Sequence, residues 1–260
     1  MPGARLRLSS HTGRRPLRPT PGIEIRADTA QNGRMILGYS AEQMRAAEAP
    51  LLAAGVPLMQ RAADGLAREA AKLLPDARSR VLALVGTGNN GADALYACAI
   101  LAADGADVAI VPTGDRVHTA ALEAALAAGA RVAAADEVRG LAASADLILD
   151  GILGTGTGAS PALRGRAREL VAAVLESAPH ARVVAVDIPS GIDPDGGAVP
   201  DPVVLSATMT VTFGGYKAGL LRAPASGYAG EVRVVDIGLG DELAKITPVL
   251  RFDELGDPER

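Results

Sequence analysis

Asn89, Asn90 and Asp93 stand directly behind a glycine-rich turn, in the run Val81–Asp93 that reads VLALVGTGNNGAD. Two more aspartates occupy the same place after apolar runs. Asp150 ends LILD and leads into Gly151–Gly158, and Asp187 ends VVAVD and leads into Ile188–Pro189–Ser190–Gly191. The groups on offer are amide, carboxylate and hydroxyl oxygens among backbone N–H groups. Such oxygens suit a hard cation. A carboxylate in a partly closed pocket suits proton transfer, because desolvation lifts its pKa toward the working range. A glycine-rich turn that opens a helix suits phosphate, because its N–H groups can approach the anion and the helix dipole favours negative charge there.

Each residue also has a plainer role. Asn and Asp after a strand often cap the next helix or close an Asx turn. Three such endings in one chain are harder to assign to caps alone. Asp193 and Asp195 lie in a Pro/Gly-rich turn and are expected to be turn residues. Lys217, in Phe213–Gly219 (FGGYKAG), either faces an anionic ligand or is a solvated loop lysine, and the residues do not choose between these. His11, His118 and His180 have no partner spacing and are expected at the surface. Cys98 falls in an apolar helical stretch and is expected in the core. There is no Ser–His–Asp arrangement and no Walker A lysine.

The elements that must position these groups alternate. Ser40 to Ala54 reads as a helix, with Ser40 and Gln43 placed for a capping box. Leu58 to Leu74 reads as a second helix closed by Pro75. Strand Val81–Val85, helix Ala92–Ala103 and strand Val108–Val111 follow. Then come helix Ala120–Ala128, a short strand near Val132, strand Leu147–Leu149, a helix over 164–176, and strands Val183–Val186, Met209–Phe213 and Val232–Val235. This alternation predicts an α/β fold, a Rossmann-like three-layer αβα sandwich with a mostly parallel central sheet. Ligands of such sheets bind at the carboxyl ends of the strands, where the three polar loops should converge. No linker divides Ser40 to Gly238, which predicts one domain.

Composition sets outer limits. Of 260 residues, 48% are hydrophobic and 2% aromatic, with no Trp, so the core must be aliphatic. A net charge of −4 gives no electrostatic case for nucleic acid. No apolar run reaches the roughly 18 to 20 residues of a membrane span. A single cysteine excludes an internal disulfide framework and a Cys-based zinc site, and fits a cytoplasmic protein. Residues 1–34 are rich in Arg and Pro and lack periodicity. They are expected to be a disordered leader, with Met35 as a start site; a basic anchor or targeting peptide is the other reading.

The motifs resemble one family, the NAD(P)H-hydrate epimerases of the YjeF N-terminal domain group. The stretches that carry the resemblance are GTGNNGAD, DLILDGILGTGTG, VVAVDIPSGIDPDGG, TMTVTFGGYKAGLL and GEVRVVDIGL, in that order. They cover most of Ser40 to Gly238. The resemblance implies an epimerase domain over 35–240, with 241–260 as a C-terminal tail. It implies interconversion of the R and S forms of hydrated NADH or NADPH (NADHX and NADPHX). It also implies a partner NAD(P)H-hydrate dehydratase and a homodimer. Asn89, Asn90, Gly91, Ala92 and Asp93 match the family's substrate-binding loop, as do Gly154, Thr155, Gly156, Thr157, Gly158, Ala159 and Ser160. Asn90, Asp150 and Ser190 match its potassium ligands, and Asp187 its substrate-contacting aspartate. Asp187 is therefore expected to be the catalytic acid and base. Three places depart from the family pattern: Ala92 and Ala94 replace glycines, Glu48 stands where Asp is common, and Gly215–Tyr216 precede Lys217 without a proline.

Two other readings compete. Gly86–Gly91 satisfies G-x-G-x-x-G, which suits a nicotinamide-dependent oxidoreductase, although Asp115 is a late candidate for the ribose-binding acid. A non-catalytic scaffold of the same fold is the second; retention of Asn90, Asp150, Asp187 and Ser190 argues against it.

Overall fold

The computed structural model describes residues 35–157, 160–177 and 180–253. The leader expected over residues 1–34 lies outside them. The chain runs β1 (Met35–Tyr39), α1 (Ala41–Ala53), α2 (Leu58–Ala71), β2 (Arg80–Val85), α3 (Asn89–Ala103), β3 (Asp107–Pro112), α4 (Thr119–Ala127) and β4 (Arg131–Val132). It continues through α5 (Val138–Ser144), β5 (Leu147–Gly151), α6 (Gly165–Glu176), β6 (Arg182–Val186), β7 (Met209–Phe213), β8 (Tyr216–Lys217), β9 (Glu231–Val235), α7 (Gly240–Leu243) and β10 (Leu250–Asp253).

Seven strands form the main sheet, in the order β4-β3-β2-β5-β6-β7-β9, and every pairing is parallel. Side chains alternate across the strands. Val81, Ala83 and Val85 of β2 therefore join α2, α3 and α4 in one core layer. Leu82 and Leu84 join α5 and α6 in the other. The strand order turns back between β2 and β5, so a crevice opens at their carboxyl ends.

The capping box on α1 forms as the sequence predicts: Ser40 Oγ accepts from Gln43 N and Gln43 Oε1 accepts from the Ser40 amide, both at 3.1 Å. A second, three-stranded sheet was not foreseen. It has β1 at its centre, antiparallel to β10 and parallel to β8. Of the expected tail 241–260, residues 241–253 are built into the body through α7 and β10, and the rest lies outside the described residues. Leu250 and Phe252 pack against a third cluster that includes Ile36, Ile188 and Tyr216. Among the described residues no helix is long and apolar enough to cross a membrane.

Candidate active site

The first polar loop is clamped to the second. Gly86 N donates to the carbonyl of Gly151 at 3.0 Å. A Cβ on Gly86 would sit 1.9 Å from the carbonyl oxygen of Ile152, and one on Gly91 2.1 Å from that of Gly86. Only glycine allows this approach. α3 starts at Asn89 rather than the expected Ala92, behind the extended Gly88. Asn90 and Asp93 consequently lie three residues apart on one face of the first turns. Ala92 and Ala94, which replace glycines of the family pattern, are fully buried within the helix, in the core beneath the sheet.

Asn90 is buried against the second loop: a Cβ on Gly154 would lie 3.0 Å from Asn90 Oδ1. Asp150 Oδ2 accepts from Ser190 N at 2.8 Å. Ser190 Oγ in turn accepts from Leu153 N at 2.8 Å and donates to Leu153 O at 3.1 Å. Asn90, Asp150 and Ser190 are therefore brought together through the loop after β5. Burial pushes the Asp150 carboxyl up, and hydrogen bonds from Ser190 and Ile152 oppose that. Asp150 Oδ1 and Asn90 Nδ2 are buried without a partner among the described residues. A desolvated carboxylate oxygen with no donor, beside an amide and a hydroxyl, fits a hard cation. No group of three or more His, Cys, Asp or Glu among the described residues makes a transition-metal site.

Asp187 ends β6 in the left-handed region, with φ at 66°. Its Oδ1 accepts from Thr212 Oγ1 at 3.1 Å, from Phe213 N at 3.3 Å and from Lys217 Nζ. Lys217 Nζ also donates to Thr212 Oγ1 at 3.0 Å and to the Phe213 carbonyl at 2.9 Å. Lys217 is 2% exposed, so it is half of a buried ion pair and not a solvated loop lysine. Asp187 Oδ2 carries none of these bonds.

Asp93 behaves differently. Burial, reinforced by the charges of Asp187 and Glu48 and opposed by Lys217, pushes its carboxyl up to about 8. Its Oδ1 is buried without a partner among the described residues. The site thus holds one carboxylate in an ion pair and one buried carboxyl held well above the usual carboxylate range. Glu48, whose carboxyl is raised mainly by burial, with Lys217 opposing and Asp187 adding, belongs to the same cluster. Sequence reasoning gave it no role. Its signal was its place on the face of α1 that buries Met44 and Ala47.

The other expected residues sort more simply. Asn89 is exposed at the start of α3, and Thr155, Gly156, Thr157 and Ser160 continue the second loop. Gly158 and Ala159 lie outside the described residues. Cys98 is buried in the core, its thiol pushed up to about 12 by burial. His118 caps α4, its Nδ1 accepting from Ala121 N at 3.1 Å. Asp195, expected to be a turn residue, also holds the start of α1 by accepting from Ala41 N at 2.7 Å.

Comparison with known proteins places this geometry. Residues 55–219 match the family described as YjeF-related protein N-terminus. The chain is 51% identical to an NAD(P)H-hydrate epimerase of Clavibacter michiganensis, over 82% of this chain and 95% of that one. It is 48% identical to an NAD(P)H-hydrate epimerase of Microbacterium testaceum, over 83% and 84%. It is also 45% identical to the bifunctional NAD(P)H-hydrate repair enzyme Nnr of Mycobacterium tuberculosis, over 83% of this chain but only 44% of that longer one. The crystal structure of the yeast protein ynu0 shares the fold, with a TM-score of 0.62 at 17% identity over 76% of this chain and 86% of that chain.

Proposed function

From a chain that belongs to the YjeF N-terminal family, with a paired carboxylate and a protonated carboxyl in one crevice, we infer an NAD(P)H-hydrate epimerase. Its substrates are NADHX and NADPHX, and it is an isomerase. The hydrate carries a hydroxyl on a ring carbon beside the nitrogen. The nitrogen lone pair expels that hydroxyl, which leaves as water once it takes a proton, and an iminium-like ion remains. Water then adds to the opposite face and loses a proton, so the atoms balance and only the configuration changes.

Two groups must therefore trade a proton with oxygen. Asp93 holds the proton for the leaving hydroxyl. Asp187, kept in place by Lys217, Thr212 and the Phe213 amide, takes the proton of the entering water through Oδ2, and exchange with solvent returns a proton to Asp93 and removes one from Asp187 before the next turnover. That divides a role the sequence reading gave to Asp187 alone. Carboxyl groups whose surroundings set their pKa values apart are a recurrent source of acid–base pairs. The pairing of Asp187 with Lys217, in one cluster with the buried carboxyl of Asp93, is the observation that carries the reading.

Residues 89–93 and 154–160 would bind the dinucleotide, with its phosphates at the start of α3. Asn90, Asp150 and Ser190 would hold a potassium ion, which when bound supplies fixed positive charge beside the substrate. A cytoplasmic homodimer working alongside an NAD(P)H-hydrate dehydratase completes the proposal.

The test is to give the protein R-hydrate together with an S-specific dehydratase and follow the return of reduced-cofactor absorbance. Asp187→Asn, whose amide tolerates the left-handed backbone, should retain substrate binding and lose at least 100-fold in turnover. Near-wild-type turnover in that variant would overturn the assignment of Asp187.

A further inference from the structure

A groove of about 450 Å³ lies at the carboxyl ends of β3 and β4, beside the site already described. Its walls include the apolar Pro112, Val117, Val132 and Ala133, and its charges are Asp115 and Arg166. Val132 is 48% exposed and gives the groove part of its apolar wall. Neither Asp115 nor Arg166 makes an ion pair or side-chain hydrogen bond among the described residues. The groove is continuous with the phosphate loop: a Cβ on Gly114 would lie 2.9 Å from Thr87 Cγ2.

Position along the sheet says what could fill it. Asp187 leaves β6, two strands beyond β2, while the groove sits over β3 on the other side. With strands about 4.8 Å apart, β6 and β3 are separated by roughly 14 Å. A hydrated nicotinamide ring at Asp187, with its pyrophosphate at the start of α3, directs the far end of the dinucleotide over β3. An apolar slot flanked by one carboxylate and one guanidinium suits a purine riboside. The carboxylate can accept from ribose hydroxyls, and a guanidinium matches phosphate geometry.

We propose that this groove holds the adenosine half of the hydrated dinucleotide, with Asp115 on the ribose hydroxyls and Arg166 on the 2′-phosphate of NADPHX. The proposal rests on the epimerase reading for its substrate, but its binding test does not. Adenosine 2′,5′-bisphosphate and AMP are titrated by calorimetry against the wild-type chain and against Arg166→Met and Asp115→Asn. Both substitutions fall on exposed side chains. The bisphosphate should bind wild type more tightly than AMP does, and Arg166→Met should erase that preference, a change of about tenfold. Asp115→Asn should weaken AMP, with both ribose hydroxyls free, more than the bisphosphate, whose 2′-phosphate the carboxylate repels.

In turnover, Arg166→Met should lower kcat/KM for NADPHX about tenfold relative to the hydrate of reduced nicotinamide mononucleotide, which lacks the adenosine half. The loss should sit in KM. A bisphosphate that binds Arg166→Met as tightly as wild type would overturn the groove assignment. So would equal loss on both hydrates. Selective nucleotide binding with no epimerisation of any hydrate would instead overturn the epimerase reading and leave the groove standing.

Discussion

Replacing Asp93 with asparagine should stabilise the free protein by an amount that grows with pH. The Asp93 carboxyl titrates at about 8 in the folded chain against a reference of 3.8. Between those limits the folded state keeps a proton that the unfolded state has released. Stability therefore falls as pH rises through this window, and it levels off above about 8. Asparagine does not titrate, so the variant escapes that slope. Each pH unit is worth about 1.4 kcal/mol, so the advantage of Asp93→Asn should grow by about 3 kcal/mol between pH 5 and pH 7. For a chain of this size that is a relative shift of roughly 6 to 12 °C in Tm. Comparing the variant with wild type at each pH cancels the fixed difference between an amide and an acid. Thermal melts of both proteins at pH 5, 6, 7 and 8, without potassium, make the measurement. A difference that stays constant with pH would mean that Asp93 ionises as an ordinary aspartate, and its role as proton donor would fall with it. Over the same range wild-type turnover should hold steady and then decline above about pH 8, as the donor loses its proton.

Lys217→Met should destabilise the fold by about 3–5 kcal/mol, because it leaves the Asp187 carboxylate buried without its partner; the Lys217→Met/Asp187→Asn double variant should regain part of that in urea denaturation, and strict additivity would argue against a coupled pair. Gly91→Ala should cost at least about 2 kcal/mol, since its methyl group would meet the Gly86 carbonyl oxygen. Gly88→Ala, with nothing within 4 Å of the new carbon, should stay within about 0.5 kcal/mol; equal melting temperatures for the two would refute the close-approach argument. Potassium should raise the Tm of the wild-type chain, and Asp150→Asn should abolish that rise. A rise of the same size in the variant would remove Asp150 from the cation site.

The main sheet was legible because its strands announce themselves locally. Runs such as Val81–Val85 and Val183–Val186 are apolar on both faces, as parallel strands covered by helices must be. Ser40 and Gln43 declared the start of α1 for an equally local reason. The second sheet was not legible. β1 and β10 are four or five residues long, and their pairing joins Met35 to Asp253 across nearly the whole described chain. α5 is seven residues long, too short for a periodic signal. In the site, residue types pointed to Asn90, Asp150, Asp187 and Ser190. They did not tell Lys217 from a surface lysine, because burial is a tertiary property. Nor did they reveal that the Asp93 carboxyl is pushed up, which depends first on its burial and then on Asp187 and Glu48 arriving from distant segments of the chain.

The backbone of Asp187 carries one more implication. Its φ of 66° is a conformation that glycine adopts freely and that costs most other residues about 1–2 kcal/mol. Glycine there would relieve the backbone but leave Lys217 buried without its partner, a larger cost than the relief. Selection for durability alone therefore has no easy route past this aspartate, because Asp187 and Lys217 would have to be replaced together. Loss of both, met in a relative, would mark a fold freed from its chemistry while every loop around it still looked intact.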